Sequence, residues 1–196
     1  MKWLFFLSLL LTLTLEAKTI VVLGDSLTEG YRLAKEEAFP HLVEVALKEQ
    51  GKEVKVINAG SSGATSASGL KRLDWYLKAK PEILILILGA NDGLRGLKTN
   101  DTEKNLSSVI EKAQSQGITV VLAGMQMPTN YGVKYRKDFE AIYPKLAQKY
   151  KIKLIPFILE GVGGVSAMNL ADGIHPNARG HQLMAQTVLK HLEGLL

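Results

Sequence analysis

Two short stretches of the chain carry side chains that can attack a carbonyl and move a proton. In the first, residues 21–30 read VVLGDSLTEG: a β-branched apolar run stops at Gly24, and Ser26 follows in a polar string. That pattern is a strand entering a tight turn. A serine there is held at the C-terminal edge of a parallel sheet, where open α/β folds place their ligands. The second is Asp172-Gly173-Ile174-His175-Pro176. A carboxylate three residues before a histidine can accept from Nδ1–H, fix the tautomer and stabilise the imidazolium. Nε2 of His175 is then free to take the proton of Ser26 Oγ. The chain has four histidines. His41, His181 and His191 fall inside helical patterns, whereas His175 is in a glycine-flanked loop.

Acyl transfer also needs donors aimed at the oxygen on which charge develops. The N–H of Gly60 lies in Asn58-Ala59-Gly60-Ser61-Ser62-Gly63, a loop of small residues that a substrate carbonyl can approach. Asn91, in Gly89-Ala90-Asn91-Asp92-Gly93, offers a side-chain amide at a strand end. With the N–H of Ser26 they make three donors. Each residue also has a plainer role: Ser26 as a helix cap, Gly60 as a turn residue, Asn91 as an Asx-turn former, and Asp172 and His175 as a helix-start pair. What favours the chemistry is that all five follow apolar strand-like runs or sit in a long loop.

The elements that must hold these residues alternate strand and helix. Strands are expected at residues 18–23, 53–57, 83–88, 118–123 and 153–157. Helices with one apolar face are expected at 36–50, 101–116 and 134–150, the last bent at Pro144. A short helix carries Leu70, Leu73 and Leu77, and a final helix opens at Pro176. The six apolar residues 83–88 show no polar alternation, so that strand is covered on both faces and central in a parallel sheet. Residues 158–174 show no periodicity, and loops that long are usually functional. The expected fold is a three-layer α/β/α sandwich, with a five-stranded parallel sheet in the flavodoxin-like order 2-1-3-4-5.

The 196 residues, 46% hydrophobic and 22% charged, are one globular domain's worth. Lys2, the uncharged residues 3–15 and Ala17 read as a secretory leader expected to be cut after Ala17, with an uncleaved N-terminal anchor as the alternative; on the first reading 18–196 is the domain and the protein is exported, periplasmic or secreted. With no cysteine there is no disulfide, thiolate nucleophile or Cys-based metal site. A net charge of +5 suits contact with anionic surfaces, but no basic block supports nucleic-acid binding.

Together the blocks resemble those of the GDSL/SGNH hydrolase family: Gly24-Asp25-Ser26-Leu27, Asn58-Ala59-Gly60, Gly89-Ala90-Asn91-Asp92 and Asp172-x-x-His175-Pro176, in order across residues 18–196. Gly93-Leu94-Arg95-Gly96, Met127-Pro128-Thr129-Asn130-Tyr131-Gly132 and Ile142-Tyr143-Pro144-Lys145-Leu146 resemble the bacterial periplasmic acyl-CoA thioesterase, lysophospholipase and arylesterase subgroup. The resemblance implies Ser26 as nucleophile, His175 as base and Asp172 as its orienter, with Ser26 N–H, Gly60 N–H and Asn91 as the oxyanion hole.

The expected activity is hydrolysis of carboxylic esters and thioesters through an acyl-enzyme, with no cofactor and no metal. The expected partner is a small acyl ester or thioester, lysophospholipid included, met by a monomer that is not membrane-inserted once the leader is gone. Leu27, Leu94, Met125 and Met127 are the apolar residues expected to meet an acyl chain. A carbohydrate acetylesterase would want a smaller pocket and aromatic sugar platforms. A non-catalytic flavodoxin-like binding domain would need no base opposite Ser26. Neither G-x-G-x-x-G, a P-loop nor the G-x-S-x-G elbow occurs.

Overall fold

The computed structural model describes residues 17–196, so the expected leader lies, but for Ala17, outside the described residues. Five parallel strands, β1 (Lys18–Gly24), β2 (Val54–Ala59), β3 (Ile83–Ile87), β4 (Thr119–Ala123) and β5 (Lys153–Ile155), lie in the order β2-β1-β3-β4-β5. This is the expected order. All five residues of β3 are buried, as an uninterrupted apolar strand requires.

The helices are α1 (Ser26–Glu29), α2 (Phe39–Glu49), α3 (Gly69–Tyr76), α4 (Ala90–Leu94), α5 (Thr99–Ser115), α6 (Val133–Glu140), α7 (Ile142–Tyr150) and α8 (Ala178–Leu192). α2 packs on α8, while α3 and α7 pack on α5, giving helical layers on both faces of the sheet. β1 pairs with β2 on one side and β3 on the other, so the winding reverses at β1 and β3. Ligand crevices of doubly wound sheets open there, and Ser26 and Asn91 follow those two strands.

The differences from the sequence expectation are local. Helical residues 36–50 resolve into a 3-10 turn, Lys35–Glu37, and α2, whose first turn holds Pro40. Proline suits that turn because it lacks the N–H that would go unpaired there. The helix expected at 134–150 breaks into α6 and α7 at Ala141, three residues before Pro144. Pro144 has no N–H for the carbonyl one turn back, so the chain reorients there. α1 and α4 are single turns too short for periodicity to reveal.

His181, on α8, is buried, and its Nδ1 accepts the N–H of Phe39 at 3.1 Å, closing the start of α2. Burial pushes its pKa down to about 4. The folded state therefore holds it neutral, while the unfolded chain protonates near the ordinary value of 6.5. Its stabilising contribution is complete above that value and lost as the pH falls toward about 4. In His181→Gln, an acceptor that does not titrate, this pH dependence disappears. Denaturant titrations should show the stability of wild type relative to the variant falling by on the order of 3 kcal/mol between pH 7 and 4. An offset independent of pH would contradict the assignment.

Candidate active site

Asp25 caps α1: its Oδ1 accepts the N–H of Leu27 at 3.0 Å and its carbonyl accepts those of Thr28 and Glu29. Ser26 is therefore the first residue of the helix and not its cap. It is 9% exposed, and its N–H has no hydrogen-bond partner among the described residues. Asp25 is wholly buried. Desolvation pushes its carboxyl up to about 6, against the lowering pull of Leu27 N–H and the Asn91 amide.

The histidine arrives from the other end of the chain. Its loop is tied by an antiparallel bridge between Asn169 and Pro176 and by Leu170 N–H donating to His175 O at 2.8 Å. Nδ2 of the buried Asn169 donates to the carbonyls of Val162 and Val165, and Asn177 caps α8 by accepting Gly180 N–H. Within this frame Asp172 Oδ1 accepts the backbone N–H groups of Ile174 (2.9 Å) and His175 (3.0 Å). Its Oδ2 lies 2.9 Å from His175 Nδ1. The two backbone donors, then the imidazole, hold the Asp172 carboxyl down at about 2. An ionised acceptor at Oδ2 places the imidazole proton on Nδ1. That leaves the lone pair of Nε2 facing Ser26 Oγ at 3.0 Å. The Tyr31 ring lies against the imidazole, centroids 4.3 Å apart.

Asn91, in α4, donates from Nδ2 to Ala64 O at 3.1 Å and to Asp25 Oδ2 at 3.3 Å. Its neighbour Asp92 is 2% exposed and accepts Ser66 N–H at 2.8 Å, Ser66 Oγ–H at 2.5 Å and Thr102 Oγ1–H at 3.3 Å. Two adjacent residues of α4 thus hold the loop between β2 and α3.

Gly60 departs from expectation. Its N–H donates to Asn58 Oδ1 at 2.9 Å and so is already engaged. Its glycine identity follows from packing, because a Cβ there would overlap Glu29 N and Cα on α1. Three residues on, Gly63 holds φ +76 in the turn closed by Ala64 N–H to Ser61 O, a backbone region glycine enters without penalty. The N–H of Gly63 has no partner among the described residues. The sequence offered two glycines in this loop, and only the path of α1 separates them.

Ser26 and His175 open onto a cleft of about 680 Å³. Leu27, Leu94, Met125 and Met127, all expected at an acyl site, line it. Leu27, Met125 and Met127 are each at most 4% exposed and form its floor. Phe157, Leu159 and Ile174 complete the apolar wall. Phe157 closes the strand expected at 153–157, which stops at Ile155, and Leu159 and Ile174 lie in sequence without periodicity, so no pattern placed the three at the cleft. A second recess, about 450 Å³, lies at the opposite sheet edge by Lys18, Ile83 and Thr119, away from these groups.

Residues 22–183 match the profile of the GDSL-like Lipase/Acylhydrolase family. The chain belongs to that family. It is therefore a hydrolase of ester bonds. It is 40% identical over 188 residues to Esterase TesA of Pseudomonas aeruginosa, covering 95% of this chain and 94% of that one. It is 38% identical over 192 residues to thioesterase 1/protease 1/lysophospholipase L1 of Escherichia coli (strain K12), covering 97% and 91%. A crystal structure of TesA superposes with a TM-score of 0.88 at 40% identity, covering 91% of this chain and all of the other.

In this GDSL-like hydrolase, Asp172→Asn keeps an oxygen for the two backbone donors but turns an NH₂ toward His175. The imidazole must then place its proton on Nε2, where it cannot accept from Ser26. Turnover is expected to fall by about 10³–10⁴-fold with little loss of melting temperature. A variant that keeps more than a tenth of wild-type turnover would contradict the relay.

Proposed function

We propose that the protein is a serine esterase that hydrolyses carboxylic esters and thioesters of acyl chains through an acyl-enzyme on Ser26. The observation that carries this is the unbroken relay from Asp172 Oδ2 through His175 to Ser26 Oγ, at 2.9 and 3.0 Å, beside an apolar cleft. His175 Nε2 takes the hydroxyl proton as Oγ attacks the substrate carbonyl, and Asp172 stabilises the imidazolium that results. The same proton passes to the leaving alkoxide or thiolate. Water then repeats the sequence on the acyl-enzyme, with His175 again as base.

The oxyanion donors of this scheme are Ser26 N–H, Asn91 Nδ2 and Gly63 N–H in place of Gly60 N–H. Among the described residues the two backbone groups have no hydrogen-bond partner, and Ala64, next to Gly63, supplies the carbonyl that holds Asn91. Esterase and thioesterase activity are supported by the names of the two relatives. The lysophospholipase part of one name adds lysophospholipids to the candidate substrates, and an apolar cleft suits their acyl chains. Export to the periplasm or beyond is supported by the basic and apolar start of the sequence. Among the described residues no helix is long and apolar enough to cross a membrane. The scheme needs one copy of the chain, since Ser26, His175, Asp172 and Asn91 all come from it.

p-Nitrophenyl butyrate and a medium-chain acyl-CoA test both leaving groups. Ser26→Ala should lower turnover of each by on the order of 10³-fold or more, and a variant retaining most activity would remove Ser26 as nucleophile. Asn91→Ala should lower kcat by roughly 10²–10³-fold with little change in KM. A destabilised Asn91→Ala protein with full turnover in its folded fraction would make Asn91 a turn-former only.

A further inference from the structure

Asp25 lies beside the nucleophile, is wholly buried and lines the cleft, yet the acyl-transfer scheme assigns it no step. Capping α1 does not account for it. A cap needs one acceptor, and serine or asparagine supplies that as well as aspartate does. A carboxyl taken out of water is costly unless its other oxygen is also engaged. Burial raises this carboxyl to about 6. What a simpler cap lacks is the second oxygen, Oδ2, which accepts from Asn91 Nδ2 at 3.3 Å while Oδ1 holds Leu27 N–H at 3.0 Å.

We propose that Asp25 is a positioning residue that ties the nucleophile turn to the oxyanion amide. One carboxyl group spans the first turn of α1, which carries Ser26, and the side chain of Asn91 on α4. It thereby fixes the amide relative to Oγ before substrate arrives. This rests on the reading of Asn91 as an oxyanion donor. Ala64 O holds the same amide at 3.1 Å, and the Asp92 contacts to Ser66 anchor the loop that presents Ala64. With Asp25 in place the amide is held at two points. Little freedom remains to be lost when charge appears on the substrate oxygen. The contact to Asp25 is the longer of the two, and its hydrogen is the one shared with the oxyanion. Without Asp25 the amide keeps only the carbonyl and can swing about its side chain.

Asp25→Ser separates the two jobs, because serine still caps α1 but cannot reach Asn91. It should lower kcat for p-nitrophenyl butyrate by about 10–100-fold and leave KM within about twofold. In an Asn91→Ala background the same substitution should cost less than about threefold, since the residue through which Asp25 acts is gone. Undiminished kcat in Asp25→Ser, or losses that multiply in the double variant, would overturn the proposal. If Asp25→Ser does not fold, Asp25→Asn, which keeps size and cap but turns an amide NH₂ toward Asn91, is carried through the same cycle. Failure of both to fold would also overturn it, making Asp25 a requirement of the fold. Fluorophosphonate labelling of wild-type Ser26 on the same preparations separates the two claims. An unlabelled, inactive wild type would sink the esterase reading itself, whereas a labelled, active one with multiplying losses sinks only the role of Asp25.

Discussion

The hydrogen bond between Ser26 Oγ and His175 Nε2 joins residues 149 positions apart. Proton transfer needs the heavy atoms within about 2.6–3.2 Å, so two distant segments must be held to a few tenths of an ångström. The sheet supplies one anchor. β1 is hydrogen-bonded on both sides, by β2 and β3, and delivers Ser26 at a fixed height above its end. The other anchor is the loop ahead of α8, which is held by hydrogen bonds where it lacks regular structure. Asn169, Asn177 and the bridge to Pro176 do that work. α8 itself is held to α2 through the buried contact of His181 with Phe39 N–H.

The two carboxyls nearest the reacting atoms have been pushed in opposite directions. Asp172, partly exposed and fed by two backbone N–H groups, sits at about 2 and is ionised throughout the useful pH range. Asp25, out of contact with water, sits at about 6. Environments that separate like groups so far usually separate their roles. In the proposed scheme the low one keeps the charge that steadies an imidazolium, while the high one accepts from Leu27 N–H and Asn91 Nδ2.

Much of this was legible in the residues. The strand order followed from five apolar runs alternating with helical patterns and from the wholly apolar run at β3. Ser26 stood out by following an apolar strand run, His175 as the one histidine of four in a glycine-flanked loop and Asp172 by lying three residues before it, and the structure brings them within hydrogen-bond reach. Gly60 was legible only as a small residue in a small-residue loop. Telling a donor from a packing glycine needs the path of α1 across it, and that is tertiary. The one-turn helices α1 and α4 escaped because periodicity needs more than a turn. The break at Ala141 was displaced from Pro144 because the missing N–H acts on the preceding turn. Leu159 and Ile174 reach the cleft through an aperiodic loop held by Asn169 and Asn177, and Phe157 reaches it because β5 stops at Ile155, two residues short of the expected strand.

The central claim is that Ser26, activated by His175, carries the acyl group. Rapid mixing of the enzyme with p-nitrophenyl butyrate, acid quench within milliseconds and peptide mass analysis test it directly. A butyryl group on the peptide containing Ser26, formed as p-nitrophenol is released and absent when His175 is replaced by alanine, is the predicted result. Turnover with no acyl group on Ser26 at any quench time, or a butyryl group on another residue, would contradict the account.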